Sequence, residues 1–217
     1  MTFFRRTLAA YERVAISRPW STGFLTCAVK GLAADMLIQI AVEKKSSDKI
    51  DWARAGTFSF YGGWYCGWFQ HGLYNIIYHR MFGASTAISN AIRKVAFDSV
   101  FHVPFVIFPV YYVYKAWMLG GQHGSTASEG LALYGEEALS INARYFSIWI
   151  PANMLVFTVV PKHLRIAFIA TTSFAWLSLV SFITLRTATD VRLISEEEEE
   201  KEKDYHHLGA DERRCGE

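Results

Sequence analysis

The sequence predicts an all-α fold: an integral membrane four-helix bundle with interfacial amphipathic helices. Three observations predict it. First, apolar residues make up 52% of the 217 residues, aromatics 16% and charged residues only 19%, against about 25% charged in an average soluble domain. Second, the charges are segregated, because residues 195–217 hold ten acids and four bases and leave a body of net +8. Third, the body contains charge-free runs about as long as the roughly 20 helical residues that hydrocarbon requires. A disordered chain is excluded by this composition. A disulfide scaffold is excluded too, since Cys27, Cys66 and Cys215 are odd in number and lack a metal-ligand or redox spacing.

Taken in order, residues 1–19 are basic, with Glu12 as the single acid and apolar residues at helical spacing, which reads as an amphipathic interfacial helix. No secretory-type apolar core is read there, and the segment is compatible with mitochondrial targeting. The membrane domain then covers 20–186. Its first span, 20–42, includes Lys30 and Asp35; its second, 55–78, is free of charge and bounded by Arg54 and Arg80. The third, 95–119, has Asp98 near its start and Lys115 near its end, and the last, 166–185, lies between Arg165 and Arg186. Arginines at such ends can snorkel to the headgroups. Residues 145–160 are uncharged but short and contain Pro151, so a bent interfacial helix is expected, with a crossing as the alternative. Lys and Arg nearly balance between the two sets of loops, which gives no side by the positive-inside rule. Four spans would place both termini together.

The acidic extension, 187–217, contains the run from Glu196 to Asp204. It reads as a solvated extension, or as a segment that docks on a basic protein surface.

Charges inside a span are costly and mark an ion pair or a polar path. Lys30, Asp35, Gln39, His71, Asp98 and His102 are therefore the candidate intramembrane polar or pore residues. Lys30 and Asp35 are five positions apart and cannot readily pair; Lys30 with Asp98 is the expected pair, and Asp35 is expected to take a loop arginine or Gln39. Gly63 and Gly67 make a GxxxG step, while Gly23, Cys27 and Gly31 make a ladder of small residues, both suited to close helix packing in lipid. No nucleophile elbow, phosphate-cradling glycine loop, metal-ligand set or nucleic-acid motif is legible. No catalytic, cofactor or metal residue is assigned, and bound lipids are the only expected ligands.

The order of motifs resembles the Mpv-seventeen and 22-kDa peroxisomal membrane protein family over roughly residues 11–182. The residues that carry the resemblance are Tyr11, Arg18, Pro19, Thr22, Asp35 and Gln39, then Asp51, Arg54, Gly63, Gly67, His71 and Tyr74, then Lys94, Asp98 and Pro104, and finally Trp149, Phe157, Val160, Pro161, Arg165, Trp176 and Ser181. Departures are Ala34, Trp68, Ser99, Ile150, Asn153 and Val156, where the family has glycine, proline, glutamine, proline, glutamine and asparagine. The resemblance implies a four-span organelle membrane protein, most naturally of the mitochondrial inner membrane, with the peroxisomal membrane as alternative; some members are described as channels. The expected function is that of a non-enzymatic accessory subunit in a large membrane assembly such as a respiratory complex, with a pore or solute-permeability protein as the alternative. Expected partners are membrane lipids, other membrane subunits and a basic surface for the tail, with no nucleic acid.

Overall fold

The computed structural model describes residues 2–119 and 126–178. The acidic extension and the end of the last predicted span lie outside the described residues, which contain helices, turns and no strand.

Helix α1, Thr2–Ser17, is mostly exposed, with Ala15 buried. It lies against the start of α2 through a hydrogen bond between the Tyr11 and Thr26 hydroxyls of 3.0 Å. Pro19 begins α2, where its missing N–H costs nothing, and the helix runs to Val42 through a wider π turn at Ile38–Val42. α3 begins at Trp52, capped by the Asp51 side chain, and continues through π-helical Gly62–Phe69 and Leu73–Ile77 to Tyr78–Phe82. α4 comprises Ile88–Phe97, the π-helical Asp98–Ile107 and Phe108–Leu119. Pro104 sits in that wider segment, where the ring of an internal proline would clash with a regular α turn. α5 is Ala127–Thr158, 32 residues long and opened by a capping box of Thr126 and Glu129. A connector containing Pro161 and the 3-10 turn Lys162–Leu164 leads to α6, residues 165–178.

Neighbouring helices alternate in direction. Gly23 faces Gly67 and Gly31 faces Phe58 between α2 and α3. Tyr74 meets Asp98, and Thr57 meets Tyr114, between α3 and α4. Gly130 faces Tyr112, and Asn153 meets Asp98, between α4 and α5. One core cluster, including Cys27, Tyr78, Val95, Phe157 and Ile169, joins α2 to α6; a second, around Val103, Phe108 and Tyr112, joins α4 to α5.

α2 and α4 are each long and apolar enough to cross a membrane. The outward faces of the bundle carry Leu25, Val29, Phe60, Trp64, Phe101 and Phe105 in exposed positions, as lipid contact requires and water does not.

One expectation is corrected. Residues 145–158 are not a separate bent helix but the second half of α5, which packs antiparallel to α4 along its length, and 159–160 form the turn that follows. The charges Glu136, Glu137 and Arg144 concealed its first half in the sequence. Glu137 accepts a hydrogen bond from the Tyr112 hydroxyl, and Gly130 lets α5 approach the Tyr112 carbonyl. The described bundle thus holds a fifth long helix in addition to the four expected.

Candidate functional site

The α2–α3 seam is built on glycine. A Cβ on Gly23 would lie 2.6 Å from the Gly67 carbonyl oxygen, one on Gly62 2.5 Å from that of Cys27, and one on Gly31 2.5 Å from that of Phe58. A Cβ on Gly67 would collide with the Gly23 carbonyl in turn. The predicted ladder of Gly23, Cys27 and Gly31 therefore packs within the chain. Its partners are Gly62 and Gly67; Gly63 instead faces the Phe24 ring.

At the far end of this seam a polar cluster ties the turn together. Arg54 donates from Nε to Asp35 Oδ1 at 2.9 Å, and Gln39 donates from Nε2 to Asp35 Oδ2 at 2.7 Å, so Asp35 takes both of the partners expected of it as alternatives. Gln39 accepts from the Asp51 backbone N–H at 2.7 Å and donates to the Asp51 carbonyl at 3.0 Å. Arg54 also reaches Glu43 at 2.7 Å, and Lys45 reaches it at 2.9 Å. The Lys45 hydrogen bond first, and the Arg54 bond second, hold the Glu43 carboxyl below its ordinary range.

Mid-bundle, Asp98 is fully buried. Its Oδ1 accepts from Tyr78 at 2.8 Å and lies 2.7 Å from His102 Nδ1; its Oδ2 accepts from Tyr74 at 2.9 Å and from Asn153 at 3.1 Å. His102 Nε2 lies 3.1 Å from the Tyr65 hydroxyl. A proton on Nδ1 suits both contacts, since Nε2 then accepts from the tyrosine. Three helices thus satisfy one carboxylate.

The expected Lys30–Asp98 pair is corrected by this arrangement. Hydroxyl, imidazole and amide donors fill the Asp98 oxygens, and no ion pair between the two forms among the described residues. Lys30 instead lines a cavity of about 350 Å³ between the helices, together with Asp35, Tyr61, Tyr65, Tyr111 and Trp149. The wall is mainly aromatic and aliphatic. Asp98, His102 and His71 do not line it; Tyr65 links its wall to the His102–Asp98 pair. His71 is packed on the Trp20 ring at 5.0 Å, and its Nδ1 lies 3.1 Å from Asn75 Nδ2.

The motif residues are mostly structural in position. Thr22 bonds back to the Arg18 carbonyl at 2.8 Å, Trp149 stacks on Tyr145 at 5.5 Å, and the Pro104 carbonyl accepts from the Tyr134 hydroxyl at 2.7 Å. Trp176 is half-buried in α6, while Ser181 lies outside the described residues. Arg165 is buried; Nε donates to the Val156 carbonyl at 3.1 Å, and Nη1 to Asn75 Oδ1 at 3.2 Å and the Tyr74 carbonyl at 3.4 Å.

Sequence reasoning singled out neither Tyr65 nor Tyr78, and it registered Asn153 only as a departure. A signal was present: Tyr74 and Tyr78, like Asp98 and His102, are four apart and so share one helix face. Trp68, another departure, packs on Trp20 with ring centroids 5.1 Å apart.

Over 173 residues the chain is 24% identical to the protein SYM1 of Gibberella zeae, spanning 80% of this chain and 94% of that protein. Over 176 residues it is 22% identical to the mitochondrial inner membrane protein Mpv17 of Rattus norvegicus, with the same two shares. No family model matches the chain, and no solved structure matches it. The length of these matches agrees with the motif order, and over most of its length the chain is similar to the SYM1 and Mpv17 proteins.

Proposed function

We propose that the chain is a multi-pass, non-catalytic protein of the mitochondrial inner membrane that serves as an accessory structural subunit of a larger membrane assembly. The location follows the name of its rat relative. The observation that carries the structural reading is the internal closure of the polar groups. Asp35 is bonded to Gln39 and Arg54, Gln39 to the Asp51 backbone, Asp98 to Tyr74, Tyr78 and Asn153, and His102 to Tyr65, which supports a role in fixing helix register. The exposed apolar faces then supply the contact surface for lipids and other subunits, and the acidic extension a contact for a basic neighbour.

α5 matches α4 in extent and runs antiparallel to it, which supports a reading of five crossings by α2 to α6 with the two termini on opposite sides. Cysteine labelling at positions 3 and 210, in a variant otherwise lacking cysteine, tests this; equal labelling from one side overturns it.

The pore reading rests on the cavity, because Lys30 and Asp35 both line it. Mild detergent extraction and native-gel sizing separate the two. A subunit migrates with its assembly and the purified chain shows no conductance in bilayers. A small homo-oligomer whose conductance changes selectivity on Lys30→Met would establish the pore instead.

A further inference from the structure

At the end of the bundle where α3 finishes, α4 starts and α5 turns into α6, the chain gathers positive charge. Lys94 is only 2% exposed and Arg165 only 4% exposed. Both sit on the same ring: Lys94 Nζ is 5.6 Å and Arg165 Cζ 5.4 Å from the Phe157 centroid. Neither is in an ion pair among the described residues. Arg165 spends Nε and Nη1 on two carbonyls and Asn75, which leaves Nη2 available. Asp98 lies one turn along α4 from Lys94, but its oxygens are taken by four other groups. Glu12 on α1 faces His163 of the connector at 3.9 Å.

Two more bases complete the set. Lys162 is exposed on the connector. His79, in the last turn of α3, is within electrostatic reach of the like charges of Lys162, Lys94 and Arg165. Two buried cations packed on an aromatic ring, without an acid, form an incomplete site, because buried charge ordinarily has a counter-charge.

We propose that this cluster binds the phosphate of an anionic phospholipid, with Lys94 and Arg165 Nη2 at its base and Lys162 and His79 at its rim. Phosphate supplies the missing negative charge and the acceptor oxygens. The lipid source is favoured over a free anion by position. The cluster stands at the ends of apolar helices, and Ile76, Ile77, Ile92, Leu155 and Val159 are exposed on the same segments, where acyl chains can lie. The inference rests on the membrane reading above but not on the subunit role.

The test uses the full chain in nanodiscs of phosphatidylcholine with or without phosphatidylglycerol, read by thermal stability and by lipid retained in native mass spectrometry. Phosphatidylglycerol should be retained and should raise the melting temperature. Lys94→Gln and Lys162→Gln should each weaken retention about fivefold while insertion is unchanged. Lys162 is exposed, so its variant keeps the test decisive if Lys94→Gln folds poorly. Equal stabilisation by the zwitterionic lipid alone, or unchanged retention in Lys162→Gln and a folded Lys94→Gln, overturns the proposal. Stabilisation by millimolar inorganic phosphate in phosphatidylcholine, with no preference for phosphatidylglycerol, would reassign the site to a free anion. Failure of the wild-type chain to insert would instead sink the membrane reading.

Discussion

The two halves of the bundle are held by opposite devices. Between α2 and α3 the side chains are removed, so that Gly23 and Gly67 bring backbones into contact. Between α4 and α5 the side chains are large: Phe108 meets Tyr145 at 5.3 Å, and Tyr134 lies 5.5 Å from Tyr112 and 5.9 Å from Phe108. In lipid, burying apolar surface adds little drive, because the tails are as apolar as the core. One pair therefore gains from the density of close packing and the other from aromatic area and shared hydrogen bonds. α3 takes part in both, since its glycines face α2 while Tyr65, Tyr74 and Tyr78 face the Asp98 cluster.

The largest expected effect follows at the seam. Gly67→Val sets a branched side chain against the Gly23 backbone, which cannot rotate away as a side chain could. A loss of about 3 kcal/mol or more is expected, read as loss of monodisperse protein in detergent. Gly56, whose added Cβ would meet nothing within 4 Å, is the control: Gly56→Ala should leave yield unchanged or improve it.

Second in size is the Asp98 cluster. Asp98→Leu leaves Tyr74, Tyr78, His102 and Asn153 without their shared acceptor, and about 3 kcal/mol of destabilisation is expected from buried unpaired donors. Tyr78→Phe removes one hydrogen bond and should cost about 1 kcal/mol. Asn153→Leu combined with Tyr74→Phe should be non-additive, because both donate to Oδ2. Additive losses in melting curves would mean that the donors act independently and the cluster is not a unit. Lys30→Met, by contrast, should be mild, since Lys30 lines the cavity and does not neutralise Asp98.

Much of this arrangement was legible in the sequence. The segments read as the first and second spans fall on the helices α2 and α3, and Asp35 finds both Arg54 and Gln39, because loop arginines and i, i+4 amides are within reach by helix geometry alone. Asp98 is different. A span charge invites the search for an opposite charge, yet hydroxyl donors on another helix satisfied it, and tertiary packing decides which tyrosines those are. The first half of α5 was missed because Glu136, Glu137 and Arg144 break the apolar run, while the Tyr112 hydroxyl that accompanies Glu137 is distant in sequence. Lys94 and Arg165 were legible as motif residues, but their meeting over Phe157 joins three separate elements.

The smallest expected effect concerns the cluster at the α2–α3 turn, and it has a defined pH direction. Lys45 and Arg54 lower the Glu43 carboxyl in the folded protein relative to its unfolded value. A depressed carboxylate stabilises the fold above the unfolded pKa, and that contribution is lost as pH falls through the folded value. Glu43 is partly exposed, with 31% of its side chain accessible, so screening limits the contribution to less than about 1 kcal/mol. Melting curves of wild type and Glu43→Gln in detergent should differ slightly at pH 7 and converge as the pH falls through the lowered range of the folded Glu43 carboxyl. Raising the salt at pH 7 should narrow the same gap, because the pairs with Lys45 and Arg54 are reachable by solvent. Arg54→Gln should cost more than Glu43→Gln, since it also removes the partner of buried Asp35. Equal costs for the two variants would mean that Gln39 alone satisfies Asp35, and that the turn depends on the amide and not on the ion pair.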